Sequence, residues 1–220
     1  MKKVLWIMVL AMAATSAFAA NGHDVNAAAA MAGTSYGFEV ILDEWGCPVG
    51  ACDVYVQDDT PAPETTYRAT FWFDPNSIAM DPFVRFPIFF GRSENNQPNF
   101  RLQLMKDSLG GGYYLRMQAR KNNNDYVHAL NTVSGTQWLL VPDAPLQITI
   151  EIQYAQTSIG EALVRMYANG QIHERVGDFW NSTFNCGKVQ LGAPRMDFAT
   201  GFVLGSLYFD EFASFRTLTP

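Results

Sequence analysis

The sequence predicts an all-β fold, an antiparallel sandwich of two sheets, and three observations carry that prediction. Gln147-Ile148-Thr149-Ile150-Glu151-Ile152-Gln153-Tyr154 alternates polar and apolar residues without a slip, the period of a strand with one wet and one buried face. The alternation recurs where Tyr67, Ala69, Phe71 and Phe73 oppose Thr66, Arg68, Thr70 and Trp72, and where Tyr113, Leu115, Met117 and Ala119 oppose Tyr114, Arg116, Gln118 and Arg120. Between two further alternating runs stands Asn169-Gly170, a strong hairpin signal because both central residues of a type I′ turn need positive φ.

Along the chain, residues 1–20 have the pattern of a cleaved export signal. Lys2 and Lys3 carry the charge, residues 4–14 are apolar, and Ala17-Phe18-Ala19 offers a small-x-small cleavage site. The apolar run is shorter than the ~20 residues a spanning helix needs. Residues 21–36, rich in Ala, Asn and Gly, predict a flexible lead-in. Residues 37–220 then predict one domain, with strands at 38–42, 53–57, 65–73, 83–90, 100–106, 113–120, 126–130, 137–141, 146–154, 163–168, 171–176, 188–191 and 207–216. Gly110-Gly111-Gly112 marks a second hairpin, while Asp58-Asp59-Thr60-Pro61-Ala62-Pro63 and Asp74-Pro75-Asn76 have loop composition. Sequential hairpins with no helix between them predict a two-sheet jelly roll rather than a parallel sheet.

Once Lys2 and Lys3 are removed, 13 basic residues face 21 acidic ones, a formal charge of −8. That balance argues against nucleic acid as a partner, and nothing after the signal has the length to span a bilayer. Export places Cys47, Cys52 and Cys186 in an oxidising compartment. The turn-rich Cys47-Pro48-Val49-Gly50-Ala51-Cys52 segment suits a local disulfide, worth roughly 2 kcal/mol. Pairing of either cysteine with Cys186 is the competing arrangement.

The order of segments resembles the concanavalin A-like jelly-roll superfamily, specifically its laminin-G-like bacterial secreted members. The residues that carry the resemblance are Tyr55-Val56-Gln57-Asp58-Asp59-Thr60-Pro61, Tyr67-Arg68-Ala69-Thr70-Phe71-Trp72-Phe73-Asp74-Pro75-Asn76, the hairpin at Tyr167-Ala168-Asn169-Gly170, and Gly205-Ser206-Leu207-Tyr208-Phe209-Asp210-Glu211-Phe212. The superfamily places lectins, adhesion modules, glycosidases and lyases on one scaffold, so the resemblance speaks to fold and not to activity. Laminin-G-like and lectin jelly rolls hold calcium with loop carboxylates and backbone oxygens. The resemblance therefore nominates Asp58, Asp59 and Asp210 as calcium ligands, against the plain reading of turn and strand-edge carboxylates.

Motifs for catalysis are thin. Glycosidases of this superfamily carry Glu and Asp on alternate positions of one strand, and no such pair occurs here; Asp210 and Glu211 are adjacent and point to opposite faces. Gln171-Ile172-His173 matches a short element of alginate lyases with a related jelly roll, but without the companion elements, and its place directly after a hairpin turn predicts a solvent-exposed histidine. Gly33-Thr34-Ser35-Tyr36-Gly37 fits a nucleophile elbow in letters only, since it lacks the strand before and the helix after. His23, His128 and His173 have no cysteine or carboxylate at zinc-ligand spacing.

The wet strand faces carry the functional expectation. Arg68, Thr70 and Trp72 share one, Arg101 and Gln103 another, and Arg116, Gln118 and Arg120 a third. Planar guanidinium groups beside an aromatic ring suit sugars, the ring stacking on a pyranose and the donors forking to hydroxyl or carboxylate oxygens. The bland alternative is a solvated face whose arginines pair with Glu151 and its neighbours. The sequence therefore predicts a secreted, non-catalytic binding module that is not an enzyme, with an extracellular glycan on Arg68, Thr70, Trp72, Arg101, Gln103, Arg116, Gln118 and Arg120. A cell-surface protein-interaction subunit is the second reading, and a polysaccharide hydrolase or lyase the third.

Overall fold

The protein is described by a computed structural model over residues 21–43, 53–107, 112–196 and 201–218. Its strands, numbered β1 to β16 along the chain, form two sheets. The first runs in the order β1 (Gly22–Asn26), β2 (Gly37–Asp43), β16 (Val203–Phe215), β4 (Thr66–Asp74), β12 (Leu146–Gln153), β13 (Leu163–Ala168), β14 (Gln171–Val176) and β10 (Leu130–Asn131), with β5 (Ala79–Met80) paired to β16. The second runs β11 (Leu139–Val141), β8 (Tyr113–Arg120), β7 (Pro98–Lys106), β6 (Arg85–Arg92), β15 (Cys186–Ala193) and β3 (Val54–Glu64), with β9 (Tyr126–His128) also on β8. All pairings among the described residues are antiparallel. This is the predicted two-sheet jelly-roll sandwich.

The alternation dictates the core. Tyr67, Ala69, Phe71 and Phe73 of β4 and Ile148, Ile150 and Ile152 of β12 are fully buried. Opposite them lie Phe86, Phe89, Phe100, Leu102, Leu104, Leu115 and Met117 of the second sheet. The sheets meet ring on ring: Phe71 and Phe89 stack at 5.5 Å with planes 7° apart. Each such ring contributes on the order of 2–3 kcal/mol by burial. Trp72 faces outward beside buried Phe71 and Phe73, as the alternation predicts. Asn169 and Gly170 have φ of +48° and +68°, as the type I′ hairpin between β13 and β14 requires.

Two segments depart from the sequence reading. Residues 22–26, expected to be a flexible lead-in, form β1 along the edge of β2. Residues 27–36 continue as a loop tied to β16, with the Met31 amide 2.6 Å from the Asp210 carboxylate and the Thr34 hydroxyl on the same oxygen. Backbone pairing at a sheet edge leaves little trace in composition. Residues 58–63, expected to be a loop, lie within β3. β3 is the last strand of its sheet, where Pro61 and Pro63 are tolerated because the outward N–H has no partner to lose.

Cys186 is a free, fully buried thiol, while residues 1–20 and Cys47 and Cys52 lie outside the described residues. No helix among the described residues is long and apolar enough to cross a membrane.

Candidate active site

The outward faces of β7, β8 and β9 bring polar side chains together in rows. Arg101, Gln118 and His128 stand side by side across the three strands, with Gln103 and Arg116 in the row on one side and Arg120 and Tyr126 on the other. Alternation sends the neighbours of these residues, Leu102, Leu104, Leu115 and Met117, into the core and the polar set outward. Even so, Gln103, Arg116 and Gln118 are only 2%, 8% and 2% exposed. Aromatic rings at the rim shield the guanidinium groups: Arg116 lies 4.2 Å from the centre of the Trp138 ring, and Arg101 lies 4.2 Å from that of Tyr126.

The hydrogen bonds run in one direction. Arg101 Nε donates to Gln118 Oε1 at 2.6 Å, which orients the Gln118 amide nitrogen toward His128 Nδ1 at 2.9 Å. Nδ1 is thereby the acceptor, and the neutral imidazole carries its proton on Nε2. Arg116 donates to Gln103 Oε1 at 2.8 Å and to Gln137 Oε1 at 3.4 Å, and Arg120 donates to the Pro98 carbonyl at 3.1 Å.

The electrostatics follow from burial and crowding of cations. Burial, with Arg85 and Arg101 nearby, pushes Arg116 down to about 10. Arg101 is lowered by burial and by Arg85 and Arg195, against an opposing pull from Tyr126. Burial together with Arg116, Arg101 and Arg175 holds His128 at about 4, so the ring is neutral at pH 7. Arg116 has amide partners and an indole, and among the described residues no carboxylate pairs with it. A buried cation bonded to neutral amides is suited to accept an anion as its partner.

The first sheet's outward face is different. Glu151, with no exposed surface, stands between Arg68 and Arg165 in register. Arg165 bonds both Glu151 at 3.1 Å and Glu174 at 2.8 Å. Arg68 lies over the Phe215 ring at 4.2 Å. Charge on this row is balanced within the protein, as the bland reading of strand arginines expected for Glu151.

The eight residues expected to form one glycan surface are therefore divided. Arg101, Gln103, Arg116, Gln118 and Arg120 come together on the second sheet, and Arg68, Thr70 and Trp72 lie on the opposite side of the sandwich. Alternation says in or out; it does not say which sheet. Sequence reasoning missed His128, Tyr126 and Trp138. The available signal was the Tyr126-Val127-His128 triplet, whose outer two residues share a strand face.

Of the calcium candidates, Asp58 and Asp210 border one depression and Asp59 does not join them. Asp210 accepts from Met31 and Thr34, Asp58 bonds the Ser214 hydroxyl at 3.2 Å, and Asp59 accepts from Gln57 at 2.8 Å. Asp58 and Asp59 face opposite sides of β3, and the described residues hold no group of three His, Cys, Asp or Glu that suits a metal. The expectation of an exposed His173 is corrected too. His173 is 1% exposed on the inward side of β14, with Nε2 3.4 Å from Asn131 Nδ2, because it stands opposite buried Met166.

No family model and no curated protein sequence matches the chain. Among solved structures it is similar to a double mutant of the alginate lyase Aly36B in complex with an alginate trisaccharide, with a TM-score of 0.57, 11% identity, and coverage of 81% of this chain and 83% of that one. It is also similar to a second double mutant of that enzyme in complex with an alginate tetrasaccharide, with a TM-score of 0.56, 13% identity, and coverage of 81% and 82%. At such identity the likeness establishes the shared sandwich fold. Both of these structures are of an alginate lyase in complex with an alginate oligosaccharide, and that finding corrects the expectation of a non-catalytic module that is not an enzyme. The missing Glu-x-Asp pair bore on glycosidases, and a lyase does not need it.

Proposed function

We propose that the protein is a polysaccharide lyase that cleaves a uronate-containing glycan on the outward face of β7, β8 and β9. The observation that carries this reading is Arg116, buried and bonded to neutral amides, next to a histidine kept neutral at pH 7. The alginate-bound structures of the same fold add support. The reading also places the sandwich in the concanavalin A-like superfamily, and the export signal at residues 1–20 suits a polymer met outside the cytoplasm.

Lyase chemistry is a β-elimination. The proton at C5 of a uronate is removed, the C4–O bond breaks, a C4–C5 double bond forms, and the leaving oxygen gains a proton. Arg101 and Arg116, with Gln103 and Gln118, would hold the uronate carboxylate and stabilise charge that develops when C5 loses its proton. His128, neutral with its proton on Nε2, would donate a hydrogen bond to the uronate carboxylate as charge develops there. Tyr126, on the same face two residues away, would as a phenolate take the C5 proton and then, as the phenol, return it to the leaving oxygen. Trp138 and the Tyr126 ring supply stacking surfaces at the rim.

Incubation with alginate, polygalacturonate and glucuronan, followed by ultraviolet absorbance of the unsaturated product, tests the reading. At least one polymer should yield product, with kcat/KM falling about 100-fold or more in Arg116→Ala and in His128→Ala. Absence of product from all three, with the protein folded, overturns it.

A further inference from the structure

The opposite side of the sandwich carries a second surface with different chemistry. The strands β4, β12 and β13 enclose a depression of about 590 Å³ bordered by Trp72, Gln147, Thr149 and Tyr167. A neighbouring depression of about 630 Å³ shares Gln147 and Thr149 and ends at Phe212 and Phe215. Trp72 stands opposite Gln147, and Tyr167 opposite Thr149, so the two rings flank β12 on a diagonal. Sheet geometry separates them by roughly 12 Å between Cα positions, the reach of a disaccharide. Between the rings, Gln147 is exposed, and the Thr70 and Thr149 hydroxyls meet at 3.0 Å.

Charge decides what such a surface takes. Beside it, Arg165 is bonded to Glu151 and Glu174, and Glu151 also faces Arg68 in register, so two cations and two anions cancel along the row. The face offers rings, amides and hydroxyls, and Glu211 at the border of the neighbouring depression adds a carboxylate rather than a cation, in contrast to the arginine-rich face behind it. Rings stack on the C–H face of a pyranose and amides bond its hydroxyls, whereas a polyanion gains nothing here from long-range attraction.

We infer that the outward face of β4, β12 and β13 is a non-catalytic binding site for a neutral glycan chain, with Trp72 and Tyr167 stacking on sugars and Gln147 bonding the hydroxyls between them. The site stands apart from the lyase reading and survives its failure.

Native electrophoresis in gels carrying hydroxyethyl cellulose, laminarin, galactomannan or alginate tests it, with circular dichroism as the check on folding. The expected result is retardation by at least one neutral polymer that persists in 0.5 M salt as a chosen condition, weakens about tenfold in Trp72→Ala, weakens in Tyr167→Ala, and is untouched in Arg116→Ala. Three results overturn the inference: no retardation by any neutral polymer, retardation by alginate alone that disappears in Arg116→Ala, or undiminished retardation in folded Trp72→Ala. Failure of unsaturated product to form from polyuronates bears only on the other face.

Discussion

Gln118 and His128 meet at 2.9 Å, amide nitrogen to Nδ1, because β8 and β9 place them directly opposite one another. The bond fixes the tautomer, and burial together with the arginines around it fixes the charge. A neutral imidazole in a cationic setting is the least ordinary group on this face, and it has a consequence for stability.

Burial and the neighbouring cations lower His128 from 6.5 to about 4. Between these values the unfolded chain binds the proton and the folded protein does not, so folding stability falls as pH drops from about 6.5 toward 4 and is unaffected by this group above that window. His173, lowered by burial, acts in the same direction. Thermal melts across that range should show a smaller loss of Tm in His128→Gln than in the wild type. Identical slopes would mean that His128 is not held neutral.

Glu151 is the buried member of a charge row, with Arg165 on one side and Arg68 facing it from the other. Glu151→Ala should cost about 3 kcal/mol, since it leaves guanidinium groups without their central anion. For a domain of this size the expected fall in Tm is about 6–12 °C. Glu151→Gln, which keeps the shape and an acceptor, should cost less. Chemical denaturation that ranks the two variants equal would contradict this account.

Asp210 ties the loop at 27–36 to β16 through Met31 and Thr34. Asp210→Ala should destabilise the protein by about 2 kcal/mol and should speed hydrogen exchange at the Met31 amide. Unchanged exchange at Met31 would show that the loop is held by other contacts.

Cys186 has no exposed surface, and burial raises its thiol far above the ordinary range, with Glu64 and Asp58 adding to the effect against Arg216. Thiolate is the reactive form. Peptide mapping after alkylation at neutral pH should find Cys186 unmodified in native protein and modified after denaturation. Labelling of the native thiol would place it outside the core.

Much of the fold was legible from side-chain period alone. The strands at 113–120, 163–168 and 171–176 lie where the alternation puts them, since a strand buried on one face must alternate. β1 and the outer half of β3 escaped because edge strands are held by backbone bonds to a neighbour, and Gly22 or Pro61 says nothing about that neighbour. The candidate site was half legible. Arg101, Gln103, Arg116 and Gln118 announce an outward polar face, but only register unites them with His128 and separates them from Trp72.

Pro61 and Pro63 lie in the outermost strand of the second sheet, where a ladder of free amides would otherwise be open to a foreign strand. Neither residue can donate, so the ladder is broken at two places along that border. An edge interrupted in this way is a poor template for strand addition by a second copy of the chain.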